Sequence, residues 1–191
     1  KENDKFPSPI ITPTSKAQVG HDMDLSKDDI IQSGLINKSD YNKLEEFTYA
    51  LFETGTNYAK SRGLLLVDTK YEFAVYNEKI HIIDEIHTPD SSRYFYEESY
   101  EDLQSKGEKQ RQLSKEFLRE WLIENGFQGN EGEEVPEMND SIISSVSERY
   151  IELYENLIGE KFEKRNTIDI LNQIEQNVNK VIWNTKLIKK K

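Results

Sequence analysis

The stretch from Gly63 to Arg93, GLLLVDTKYEFAVYNEKIHIIDEIHTPDSSR, constrains the fold more than any other part of the chain. Leu64–Val67 and Ile80–Ile83 are apolar runs of strand length. Between them Lys70–Tyr76 alternates, with Tyr71, Phe73 and Val75 on one face and Lys70, Glu72 and Ala74 on the other. A period of two marks a strand with one buried face. Asn77-Glu78 supplies a tight turn before Ile80. The stretch is therefore expected to form a strand followed by a β-hairpin, closing in a loop at Thr88–Ser92.

The polar groups of this hairpin carry the chemistry. Glu72 lies near the end of one arm and Asp84 near the end of the next, so antiparallel pairing brings them toward one site. Two carboxylates held together repel unless they share a proton or a cation. Magnesium with nucleotide phosphates suits such an oxygen-only site. Lys70 adds a positive charge on the same face. Thr88-Pro89-Asp90-Ser91-Ser92-Arg93 then offers hydroxyls, turn-prone backbone and a guanidinium, all groups that bind phosphate or carboxylate. The same residues also describe a charged surface hairpin, with Lys70 paired to Glu72 and Arg93 paired to Asp90 or Glu97.

Around this stretch the chain is helical. Ser26 caps a short helix ending near Ser33, with Asp28 and Asp29 in its first turn. A helix over about Asp40–Ser61 carries Leu44, Phe47, Leu51 and Tyr58 toward the sheet. Gly55 lies inside it, where close packing accounts for a glycine, and Arg62-Gly63 ends it. Tyr94, Phe95 and Tyr96 read as a hydrophobic seal over the site, or as a stacking wall for a base. Further helices are expected at Glu97–Lys106, from Ser114 to Gly126, and from Asp140 to Gly159, the last with Ile143, Val146, Tyr150, Leu153, Tyr154 and Leu157 on its inner face. Gln128–Asn139 is an acidic loop. Ile168, Leu171, Ile174, Val178, Val181 and Ile182 define a last amphipathic helix that can dock on this domain or on a second subunit of a homo-oligomer.

The fold class is α+β, a small antiparallel sheet packed with several helices. Residues 1–25, broken by Pro7, Pro9 and Pro13, form an extended segment; 26–162 form the α+β lobe; 163–191 form a helix and basic tail. A net charge of -11 argues against nucleic-acid or anionic-membrane partners. No cysteine is present, which excludes disulfides, thiolate catalysis and cysteine-ligated zinc, and fits a cytoplasmic setting. The three histidines make no zinc pattern.

GLLLVDTKYEF followed by IIDEIHTPDSSRY resembles the signature region of the phosphoribosylaminoimidazole-succinocarboxamide synthase (SAICAR synthetase) family. Thr12-Pro13-Thr14-Ser15-Lys16-Ala17 with Gly20-His21-Asp22 resembles an upstream element of that family, and the likeness continues through LSKEFLREWLIENGFQG and RYIELYENLIGE. The resemblance implies an ATP-dependent carbon–nitrogen ligase of purine biosynthesis that joins aspartate to a carboxyaminoimidazole ribonucleotide. It implies Lys70, Glu72 and Asp84 as catalytic residues, with Glu72 and Asp84 holding Mg2+ and the ATP it accompanies. It implies Lys16, His21, Asp22, Asp90, Ser91, Ser92 and Arg93 as substrate contacts, and Asp68 as an organiser of the site. The resemblance also brings Lys115 and Arg119, on a helix the family shares, into consideration as substrate neighbours, without assigning either. The sequence departs from the family at Ala74, where a glycine commonly follows Glu-Phe. Family members carry a glycine-rich nucleotide-binding lobe before this region, and nothing here matches it. The chain, which opens at Lys1, is therefore read as the C-terminal part of a longer enzyme, inactive when isolated. The rival readings are a kinase-like phosphotransferase, against which Asp84-Glu85-Ile86 stands in place of Asp-Phe-Gly, and a noncatalytic acidic assembly domain.

Overall fold

The structure is a computed structural model that describes residues 1–15 and 23–188, with side chains through Asn184. Lys16, His21 and Asp22 lie outside the described residues. Two compact units are present, Lys1–Gly159 and Glu160–Lys191.

The first unit opens with an extended segment in which Thr14 bridges Asp24. Helix α1, Lys27–Gln32, begins at a capping box: the Ser26 hydroxyl accepts from the Asp29 amide, and the Asp29 carboxylate accepts from the Ser26 amide. Helix α2, Lys38–Ser61, is capped by Asn37 and runs into Gly63, whose φ of 72° turns the chain into the first strand. Strands β1 (Leu64–Thr69), β2 (Glu72–Tyr76), β3 (Lys79–Ile83) and β4 (Ser92–Tyr96) follow, then helices α3 (Glu97–Lys106), α4 (Glu116–Glu124) and α5 (Asp140–Ile158). Gly107 and Gly159, both left-handed, stop α3 and α5.

The expected single sheet is two antiparallel ladders, β1 with β4 and β2 with β3. The hairpin β2–β3 forms in the register Glu72↔Ile83 to Tyr76↔Lys79. Asn77 and Glu78 both adopt positive φ, as a two-residue turn between twisted strands demands. Ala74 pairs with His81 inside this ladder and is not among the residues of positive φ, so its methyl group fits an ordinary strand position. The buried face expected for the hairpin is only half realised. Phe73, Ile80 and Ile82 are partly covered, while Val75 and Tyr76 at its turn end are exposed. A period of two tells which side chains share a face, not whether anything covers them.

Strand β4 was not anticipated. Tyr94 and Phe95 neither seal the site nor wall it; they are buried in the strand that pairs with β1. The core gathers Ala59 of α2, Leu64 and Leu66 of β1, Tyr94 of β4, Leu113 from the segment between α3 and α4, and Leu153 of α5. The buried stripe of α2 is rotated from the expected one. Ala59, beside the expected stripe, is fully buried and Phe52 packs against the core; Tyr41 and Gly55 are buried too, while Phe47 and Tyr58 are exposed. On α5, Leu153 is buried but Ile143 and Tyr154 are exposed, so the inner face is narrower than its apolar pattern.

The second unit contains helix α6, Ile170–Ile188, with Leu171, Ile174, Val178, Val181 and Ile182 exposed. Among the described residues no helix is long and apolar enough to cross a membrane.

Candidate active site

One irregularity in β1 prepares the site. Leu64 and Leu66 face the core, and strict alternation would send Asp68 the same way. The register instead passes from Leu66↔Tyr94 to Asp68↔Arg93, leaving Val67 as the extra residue of a bulge. A bulge inverts the alternation beyond it. Asp68 therefore leaves the Leu66–Tyr94 face and stands beside Arg93. Arg93 Nε donates to both Asp68 carboxylate oxygens, at 3.0 and 3.1 Å, and NH2 of Arg93 donates to Oδ2. This pair raises the guanidinium pKa, the hydrogen bonds to Asp68 being the main cause. Arg93 is thus paired, with Asp68 rather than with Asp90 or Glu97.

The loop between β3 and β4 is built from short-range hydroxyl bonds. The strand ends at Ile83, and Asp84 turns away with φ of 64°. The Thr88 amide donates to Ser91 Oγ at 3.1 Å, and the Ser91 amide donates to Thr88 Oγ1 at 3.2 Å. Pro89 fixes φ in the middle of this turn. The Thr88 hydroxyl also donates to Glu85, and Ser92 Oγ, buried, donates to Thr69 Oγ1 at 2.8 Å.

Four other elements hold this loop. The Lys70 amide donates to the Ser91 carbonyl at 2.9 Å, and the Lys115 amide to the Pro89 carbonyl at 3.1 Å. Tyr150 of α5 donates to Asp90 Oδ1 at 2.6 Å, and burial, with this bond, raises the phenol pKa. His87, at φ 57°, packs its ring over Gly55 of α2. Its Nε2 shares a 2.5 Å hydrogen bond with the Tyr71 hydroxyl, and its carbonyl accepts from Tyr94 at 2.9 Å. Burial lowers the His87 pKa and pushes the Tyr71 and Tyr94 phenols up to about 12.

The result is an open cleft of about 400 Å³ lined by Asp68, Thr69, Lys70, Asp84, Glu85, Asp90, Ser91, Ser92, Arg93, Ser114, Lys115, Glu116 and Arg119. It brings together six of the residues singled out in the sequence: Lys70, Asp84, Asp90, Ser91, Ser92 and Arg93. Glu72 stands at its edge, its carboxylate 3.2 Å from Lys70 Nζ. A separate hollow of about 610 Å³ is lined by Thr12, Pro13, Asp24, Lys27, Tyr41, Glu45 and neighbouring residues. The two share no lining residue. Residues 1–136 match the family described as SAICAR synthetase.

The chain belongs to the SAICAR synthetase family. It is 58% identical over 182 residues to the phosphoribosylaminoimidazole-succinocarboxamide synthase of Cytophaga hutchinsonii, covering 95% of this chain and 59% of that protein. The SAICAR synthase of Saccharomyces cerevisiae, solved in complex with SAICAR, superposes with a TM-score of 0.69 at 34% identity, over 86% of this chain and 51% of that one. A SAICAR synthetase solved in complex with ADP gives 0.61 at 26% identity, over 84% and 55%. The chain thus spans less than two thirds of the length of the curated relatives it matches.

The residues that brace the site were not visible in the sequence. Tyr150 was placed on the inner face of α5 but not at Asp90. Gly55 was flagged for close packing without its partner. His87 gave no signal at all.

Proposed function

We propose that this chain is the C-terminal part of an ATP-dependent ligase. It joins L-aspartate to 5-amino-1-(5-phospho-D-ribosyl)imidazole-4-carboxylate, forming the succinocarboxamide SAICAR, ADP and phosphate in de novo purine biosynthesis. The supporting observation is one cleft that gathers the polar residues of both signature blocks in a chain of this family. A substrate carboxylate oxygen takes the γ-phosphoryl group, releasing ADP. The aspartate nitrogen then attacks the acyl carbon, the carbon–oxygen bond to phosphate breaks, and the amine loses its proton. No nucleophilic side chain is required; the protein aligns ligands and offsets their charge.

Arg93 is assigned the ribonucleotide phosphate, with Ser91 and Ser92 beside it, and Asp68 fixes the plane of its guanidinium. Lys70 takes a ligand anion. Asp90 lines the cleft on the substrate side, and Lys16, His21 and Asp22 are assigned substrate contacts on the family resemblance alone. Glu72 and Asp84 are assigned the magnesium ion on donor chemistry, both being hard oxygens; Glu72 pairs with Ile83, and Asp84 turns out of that strand to line the cleft. Bound there, the ion would neutralise charge on the ATP phosphates. There is room for a nucleotide-binding part elsewhere in the enzyme, since the chain covers 59% of the length of one curated relative. The cysteine-free chain suits the cytoplasm.

The test uses the full-length enzyme. ADP release should require the ribonucleotide and aspartate together, and the 191-residue chain alone should give negligible turnover. Asp84→Asn and Glu72→Gln should stay folded by circular dichroism yet lose magnesium-dependent ATP binding. ADP release that ignores aspartate, or folded variants with wild-type affinity and turnover, would contradict the assignment.

A further inference from the structure

We propose that Lys115 is an anion-binding residue of the cleft, taking a phosphate or carboxylate oxygen of a substrate. The inference rests on the ligase reading above, and on a charge inventory of the cleft. Four cationic side chains line it: Lys70, Arg93, Lys115 and Arg119. Three of them already hold a carboxylate. Lys70 lies 3.2 Å from Glu72, Arg93 is forked onto Asp68, and Arg119 lies 3.2 Å from Glu116. A ligand anion arriving at any of these must compete with a carboxylate already in place. Among the described residues, the Lys115 ammonium has no ion pair or hydrogen bond, so an anion meets no such competitor there.

Its backbone, by contrast, is fixed. The residue before it, Ser114, is buried, and Ser114 Oγ accepts from the Glu116 amide at 3.2 Å. The Lys115 carbonyl accepts from the amides of Leu118 and Arg119, at 2.9 and 3.1 Å, as α4 starts. The Lys115 amide is spent on Pro89, in the turn that presents Asp90, Ser91 and Ser92. A lysine whose Cα is pinned to the substrate loop, and whose four-carbon stem is unrestrained, delivers a point charge to whatever that loop binds. The need for one is plain. Asp68, Asp84, Glu85, Asp90 and Glu116 also line the cleft, and the chain carries a net charge of -11. Each proposed ligand is anionic, so an uncompensated cation beside the loop offsets repulsion that the paired ones cannot.

The test measures equilibrium binding of ADP, the ribonucleotide and aspartate, separately and by calorimetry, to full-length wild type, Lys115→Met and Lys115→Arg. Lys109→Met is the control. Lys109 Nζ is 3.1 Å from Glu124 and lies outside the cleft. Lys115→Met should weaken one of the three ligands about tenfold or more, the usual loss for a charged hydrogen bond. Lys115→Arg should retain most of that affinity, and Lys109→Met should match wild type. A response of ADP alone identifies a phosphate contact and of aspartate alone a carboxylate contact; for the ribonucleotide, which carries both groups, its dephosphorylated analogue separates them. In turnover, the Michaelis constant for that substrate should rise with little change in kcat. Unchanged affinity for all three ligands in a folded Lys115→Met protein overturns the inference, whether or not the enzyme ligates. Wild type that binds the ligands without joining them overturns the ligase reading instead. Wild type that binds none of them overturns both.

Discussion

Adding one methyl group at Gly55 should weaken the site from behind. An ideal Cβ built there lies 2.3 Å from Cε1 of His87, 2.7 Å from Nε2 and 2.8 Å from Nδ1. Apolar carbons rest at about 3.5–4.0 Å, so the imidazole must retreat by more than an ångström. It is held by the 2.5 Å bond to Tyr71 and by the edge-on packing of that ring, with centroids 5.5 Å apart. Two opposing effects decide the sign. Alanine in place of a mid-helix glycine favours α2 by about 1 kcal/mol. Overpacking costs about 1–3 kcal/mol, and a lost hydrogen bond about 1 more. The net expectation for Gly55→Ala is about 2 kcal/mol of destabilisation, or about 4–8 °C in Tm for a chain of this size. Thermal and urea unfolding of wild type, Gly55→Ala, His87→Ala and the double variant form the assay. In the His87→Ala background the clash is gone, and Gly55→Ala should become stabilising by up to about 1 kcal/mol. If Gly55→Ala raises Tm with His87 present, or if removing His87 leaves the sign unchanged, the packing argument is wrong.

Two further expectations follow from the same geometry. Burial depresses the His87 pKa below 6.5, so the unfolded chain takes up this proton first; stability should be full above about pH 6.5 and fall as pH drops through the unfolded value toward the folded one, and His87→Gln should flatten that slope in urea titrations at stepped pH. Arg93→Lys replaces a fork by a point charge on a half-exposed pair, so it should cost stability only about 1 kcal/mol or less while weakening the ribonucleotide more than its dephosphorylated analogue; equal loss for both would place Arg93 away from the phosphate.

Local chemistry was legible where local chemistry decides. Ser26 caps its helix, and Gly63 and Gly159 end theirs, because caps and left-handed stops act within a few residues. The hairpin about Asn77-Glu78 was readable for the same reason. Strand β4 was not, because Ser-Arg-Tyr-Phe-Tyr shows no alternation and two of its aromatics are buried side by side. The Val67 bulge has no sequence mark, yet it sets Asp68 beside Arg93. The cleft's polar residues were visible as two blocks, and a pocket gathers most of them. What braces them depends on pairs such as Tyr150 with Asp90, and no periodicity reports a partner that distant.

The way the substrate loop is tied has a kinetic consequence. Asp90 is held by a residue 60 positions later in the chain, Arg93 by one 25 positions earlier, and His87 rests on a helix that precedes the whole sheet. The loop's own hydroxyl bonds, such as those between Thr88 and Ser91, are local, but these anchors are not. Closing long chain segments is slow, and an intermediate that has formed its helices and hairpin has not thereby formed this loop. The cleft should be among the last features to appear during refolding and among the first lost when α5 detaches, so ligand affinity acts as a late checkpoint on the assembly of the entire unit.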